Sequence, residues 1–334
     1  MRIRQMRPLL AIKSSLVSKV RVATLVMFLG LFFSAVVSAQ FGTPGLNTAN
    51  LIPVSHSVCK VQCDSVDAIV FVHGIFGDKE TFTNKRTQFS WPEALEKSLG
   101  DEQVDVFRLD YLTSLISWAE GSTTDLETLT SDIFHSLEPL RDANYRSIGF
   151  IAHSLGGNVV ATYIVRSKLR LGRDFAFQNA YTIMLGTPTS GSDWADIGSS
   201  LKKFLRMDDG LLMSLSADNT TFLDMLKTFR QDVDDEGQYW GCRSTHLHAA
   251  FEQRHKYAVI RLFDRVQAAK KVTAASDSPI RFFDASHSAI AKPKDVDDEI
   301  YRWVLEIVRA EIARIKSWEA MSERINSRTP FCVR

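Results

Sequence analysis

Ser154 stands where a serine hydroxyl could become a nucleophile. The apolar run Ile148-Gly149-Phe150-Ile151-Ala152 leads into His153-Ser154-Leu155-Gly156-Gly157, and a helical pattern, NVVATYIVRSK, follows at once. A tight strand-to-helix turn of this kind holds the serine in a strained conformation with its hydroxyl exposed. Small neighbours let strand and helix approach, and here Ala152 takes the first small position of a G-x-S-x-G pattern. The chemistry this suits is attack on an acyl carbon. It needs a base to take the hydroxyl proton and donors to hold the oxyanion that forms. The first donor is the N–H of Leu155, directly after the serine and at the positive end of the following helix. A second segment supplies another: the apolar run Ala68–Val72 ends in His73-Gly74-Ile75-Phe76-Gly77, and Ile75 or Phe76 is expected to offer the second N–H. His73 reads as a residue that fixes this loop by hydrogen bonds.

In this arrangement the base comes last in the chain, after the final strand. Of the eight histidines, His287 in Asp284-Ala285-Ser286-His287-Ser288-Ala289-Ile290 fits that place. His246, His248 and His255 also follow the serine, but they precede the apolar run Tyr257–Phe263, which reads as the penultimate strand. The third member is a carboxylate between serine and histidine, which orients the imidazole and stabilises the imidazolium. Asp264, closing that run, is the expected acid, with Asp277 and Asp284 as rivals. Cys242, His246 and His248 lie near one another in sequence, but no second pair with ligand spacing accompanies them. Neither a metal nor a cofactor is expected.

The elements that must position these residues alternate. Continuous apolar runs at Ala68–Val72, Val104–Leu109, Ser147–Ala152, Ala180–Leu185 and Tyr257–Phe263 read as strands buried on both faces. Between and after them lie helical patterns at Trp91–Leu99, Asp125–Leu140, Leu155–Lys168 and Asp295 to about Ile315. The order implies an α/β fold, a mostly parallel central sheet with helices on both faces. One catalytic domain is expected over residues 67–320, after an extended lead-in at 40–66 and before a tail at 321–334. The rhythm breaks at 191–241, where Phe222, Met225, Leu226 and Phe229 recur at helical spacing. This helical insertion reads either as core helices or as a cap over the site.

Residues from about Ala68 to Trp303 resemble the lipase-like α/β hydrolases, in particular the branch of serine-active-site-containing proteins and GPI-inositol-deacylase-like esterases. The pieces that carry the resemblance are FVHGIFGD (Phe71–Asp78), IAHSLGG (Ile151–Gly157), LGTPTSGS (Leu185–Ser192) and ASHSAIAKP (Ala285–Pro293). Thr189 departs from it, standing where histidine is expected after the proline. The resemblance implies an α/β-hydrolase fold, with Ser154 as nucleophile, His287 as base and an acid matching Asp264. It also implies metal-free hydrolysis of carboxylic esters, often lipid esters. Acyl transfer or thioester cleavage by the same three residues, and a non-catalytic binding role on the same scaffold, are the alternatives.

Of 40 basic and 39 acidic residues, six basic and no acidic ones lie in the first 39 positions, so the remainder carries 34 basic and 39 acidic groups. That balance gives no basic surface for nucleic acid. The basic stretch runs into the uncharged Val22–Val37 and the small residues Val37-Ser38-Ala39, the order of a signal peptide, with an uncleaved anchor as the alternative. Either way the globular part is expected to be exported: periplasmic, secreted or membrane-anchored. The expected partners are an ester or lipid substrate and a membrane surface. Four cysteines (Cys59, Cys63, Cys242, Cys332) suit an oxidising compartment and allow three pairings, among which the sequence does not choose.

Overall fold

A computed structural model describes residues 49–55, 58–74, 77–111, 126–171, 178–187, 245–254 and 279–325. The leader at 1–39, the insertion at 191–241 and the apolar run Tyr257–Phe263 lie outside the described residues, as do Ile75, Phe76, Asp264, Asp277 and most of the tail.

Among the described residues seven strands form the central sheet: β1 (Ala49–Pro53), β2 (Asp67–Val72), β5 (Val104–Tyr111), β6 (Ser147–His153), β7 (Asn179–Leu185), β8 (His246–Arg254) and β9 (Arg281–Ser286). A two-stranded ribbon, β3 (Thr83–Asn84) with β4 (Phe89–Ser90), stands apart from it. The sheet order is β1-β5-β2-β6-β7-β8-β9, parallel throughout except for the antiparallel β1. β1 falls in the expected lead-in. Its Pro53 suits an edge strand, because proline has no N–H to give to a ladder.

The pleat sorts each strand between two cores. On β2, Ala68, Val70 and Val72 face one side and Ile69 and Phe71 the other, all fully buried. The first side is covered by α2 (Leu126–Ser136) and α4 (Leu155–Leu171), through Ile133, Phe134, Val159 and Tyr163. The second is covered by α1 (Trp91–Ser98) and α5 (Glu299–Ile325). Ile300, Val304, Val308, Ile312 and Ile315 make the buried stripe of α5, recurring every three or four residues as a helix face requires. The helix expected over Asp125–Leu140 is two: α2 ends at Ser136 and α3 (Glu138–Asp142) restarts with Pro139, which has no N–H to continue the ladder.

At the strands' N-terminal ends Asp67 and Arg146 form a buried pair, Nε to Oδ1 3.0 Å, and Ser147 Oγ donates to the same oxygen at 2.6 Å. Removing one partner of such a pair typically costs about 3–5 kcal/mol. Cys59 and Cys63 are joined by a disulfide. Among the described residues no helix is long and apolar enough to cross a membrane.

Candidate active site

β6 delivers Ser154 and α4 begins at the next residue. The serine has φ of +54°, in the left-handed region that a non-glycine residue occupies at a cost. Its N–H donates to the Leu185 carbonyl at 2.9 Å, which ties the turn to the end of β7. The buried β6 residues and Leu155 and Val159 on α4 pack strand and helix into one core on either side of the turn. Leu155 opens a 17-residue helix, so its N–H is one of those left without an intrahelical acceptor.

Gly74 seats the second loop against this turn. A Cβ added there would stand 2.6 Å from Ser154 Cβ and 2.9 Å from the His153 carbonyl oxygen, closer than real side chains come. His73 braces the same loop: Nδ1 lies 2.9 Å from the Gly74 carbonyl oxygen, Nε2 accepts from the Tyr111 N–H at 3.3 Å, and the ring stacks on Tyr111 at 4.1 Å. The Tyr111 hydroxyl donates back to the His73 carbonyl.

His287 follows β9 directly. Its Nε2 lies 2.9 Å from Ser154 Oγ and its Nδ1 lies 2.8 Å from Glu252 Oε1. The carboxylate in this place is therefore Glu252, near the end of β8, where the sequence pointed to Asp264. β8 pairs with β7 on one side and β9 on the other, so among the described residues His246–Arg254 is the strand that precedes β9. Asp284 is exposed on β9. Burial raises the pKa of Glu252, but the hydrogen bond from His287 and its charge outweigh that, and the net value lies below the usual carboxylate range. Glu252 is thus the ionised acceptor that Nδ1–H requires.

Two further residues shape the cluster. Gly186 has φ of +60°, and a Cβ there would meet Glu252 Oε2 at 2.7 Å and His287 Nδ1 at 3.2 Å. His153 packs on His287 with ring centres 4.9 Å apart, and its Nε2–H donates to the His287 carbonyl at 2.8 Å. Burial, and then the nearby His287, depress its pKa to about 3, so this imidazole stays neutral and keeps the donating proton.

A serine, an imidazole and a carboxylate in this contact order can move a proton from hydroxyl to ring while the carboxylate stabilises the charged ring. Glu252 was missed because β8, HLHAAFEQR, carries polar residues along one face, whereas Tyr257–Phe263 is more apolar. The readable signal was the acid after Ala249-Ala250-Phe251, since this place accepts either Asp or Glu.

The model of the alpha/beta hydrolase family matches residues 69–299. No curated protein sequence matches the chain significantly. Among solved structures, an esterase B from Lactobacillus rhamnosis is similar with a TM-score of 0.50 and 12% identity, over 90% of this chain and 99% of its own. The lipase BlEst2 from Bacillus licheniformis gives a TM-score of 0.47 and 16% identity, over 79% of this chain and 99% of its own. At 12% identity the likeness to the esterase is one of fold.

Proposed function

The chain belongs to the alpha/beta hydrolase family, and from that premise we propose that it is a serine hydrolase of carboxylic esters. The observation that carries the reading is the unbroken line Ser154 Oγ–His287 Nε2, His287 Nδ1–Glu252 Oε1, at 2.9 and 2.8 Å, ending on a serine held at positive φ. His287 takes the Ser154 proton as Oγ attacks the ester carbonyl carbon. The imidazolium so formed is stabilised by Glu252 and held in place through its own carbonyl by His153. The tetrahedral oxyanion is bound by the Leu155 N–H and by a second N–H from the turn after β2, where Ile75 and Phe76 are the candidates. A single donor of this kind is worth about 2.7–4 kcal/mol of barrier. His287 then gives the proton to the leaving alcohol, and water, activated by the same imidazole, releases the acid from the acyl-enzyme.

Acyl esters of lipids are the proposed substrates, met outside the cytoplasm. The order of basic, apolar and small residues at the N-terminus and the Cys59–Cys63 disulfide support export to an oxidising compartment. A series of p-nitrophenyl esters of increasing chain length, hydrolysed by wild type and Ser154→Ala, tests the reading. The wild type should turn over with a preference for longer acyl chains, and the variant should lose on the order of 10⁴-fold in kcat. Equal rates for the two proteins would overturn it.

A further inference from the structure

A second imidazole–carboxylate cluster lies at the opposite end of β8. His246 and His248, two residues apart on one strand, project from the same face of the sheet, toward α5. Their partners in register on β7, Tyr181 and Ile183, belong to the core that α5 covers. Glu311 stands beside Ile312 on the buried face of α5. His246 Nδ1 lies 2.8 Å and His248 Nε2 2.9 Å from the same oxygen, Glu311 Oε1. Its other oxygen accepts from Arg314 Nε at 2.7 Å, and Arg314 Nη2 donates to the Ala180 carbonyl at 3.1 Å.

We propose that His246, His248 and Glu311 form a zinc site that fastens α5 to β8. Two imidazoles and one carboxylate are a donor set that zinc takes in tetrahedral geometry, with a fourth position for water. The three ligand atoms lie within 4.8 Å of one another. Bonds of about 2.0–2.2 Å require ligand atoms roughly 3.3 Å apart. The Glu311 oxygen, 2.8 and 2.9 Å from the two rings, therefore has to draw back by about half an ångström, ligand atoms as far as 4.8 Å apart have to close toward that spacing, and each ring has to adopt the tautomer that presents its lone pair. Arg314 acts here as an outer partner, holding Oε2 so that Oε1 points at the ion. His246 is 24% exposed, against 7% for His248 and 5% for Glu311, which gives a path for entry. Four and six residue steps of strand separate His248 and His246 from Glu252, about 13 and 20 Å at the usual rise, so the ion would not touch the reacting ester.

The test is zinc titration of tag-free protein, with calorimetry, elemental analysis and a melting curve. Wild type should bind one zinc per chain, melt several degrees higher with zinc, and lose that gain in EDTA. His246→Gln is the decisive variant, because a carboxamide can still donate to Glu311 but replaces the imidazole. It should melt like the zinc-free wild type, bind zinc at least tenfold more weakly, and hydrolyse a p-nitrophenyl ester within about twofold of the wild-type rate. Glu311→Gln should also bind at least tenfold more weakly. No zinc bound to wild type, or binding unchanged in both variants, would overturn the site and leave the proposed esterase chemistry standing.

Discussion

Nearly the same side chains gather at the two ends of β8 and do opposite things there. At the C-terminal end a buried glutamate, Glu252, meets one imidazole, and that ring passes on to a serine hydroxyl at 2.9 Å. At the N-terminal end a buried glutamate, Glu311, meets two imidazoles and an arginine. The first line terminates on a group that can react, and His287 is 36% exposed where a substrate must reach it. The second closes on itself between a strand and a helix. What separates a catalytic constellation from a structural one is thus where the chain of hydrogen bonds ends. The strained turn at Ser154, with Gly74 and Gly186 packed beside it, stands at the reactive end.

The same substitution at the two ends sharpens that contrast most. Glu252→Gln should lower kcat for a p-nitrophenyl ester on the order of 10³–10⁴-fold, because a carboxamide neither holds the Nδ1–H tautomer nor balances the imidazolium. Its circular dichroism should stay unchanged. Should Asp264→Asn prove the more damaging change, Glu252 is not the acid. Glu311→Gln should alter kcat by no more than about threefold, and instead lower the unfolding free energy by about 1–3 kcal/mol in denaturant, through its weakened bonds to charged partners. A large kinetic loss with unchanged stability at Glu311 would break the comparison.

Gly186→Ala probes the geometry rather than the charge. The added methyl is strained by φ and collides with both Glu252 and His287, so kcat should fall on the order of tenfold to a hundredfold. Rates equal to wild type would mean that the pair tolerates displacement. The smallest effect concerns acid. The folded pKa of Glu252 lies below its unfolded value of about 4.3, so its ionisation stabilises the native state above that pH. The contribution is lost as pH falls through the folded value. Stability measured from pH 5 downward should therefore fall less steeply in Glu252→Gln than in wild type, and parallel acid limbs would refute the shift.

How much of this was legible in the sequence follows from how local each signal is. The elbow at Ser154 is a strand, a turn and a helix in one stretch, and the order of elements then directs the eye to His287. β2, β6 and β7 were readable because burial on both faces makes them continuously apolar. β8 was not, because its face toward α5 carries His246, His248 and Glu252, which only tertiary partners satisfy. Glu311 was hidden for the same reason, inside an otherwise apolar helical stripe. β1 was obscured by Pro53 and, among the described residues, by having only β5 as its partner in the sheet. Cys59 and Cys63 pair across four residues, a connection that counting cysteines leaves open.

Ser154 acts as a nucleophile activated by His287 in the proposed reaction. Labelling with a fluorophosphonate probe, followed by mass spectrometry of the tryptic peptides, tests it most directly, since only an activated hydroxyl attacks the phosphorus. One adduct per chain is expected, on the peptide containing Ser154, slowed by orders of magnitude in Glu252→Gln and absent in Ser154→Ala. Absence of labelling in the folded wild type, or an adduct that persists in Ser154→Ala, would contradict the account.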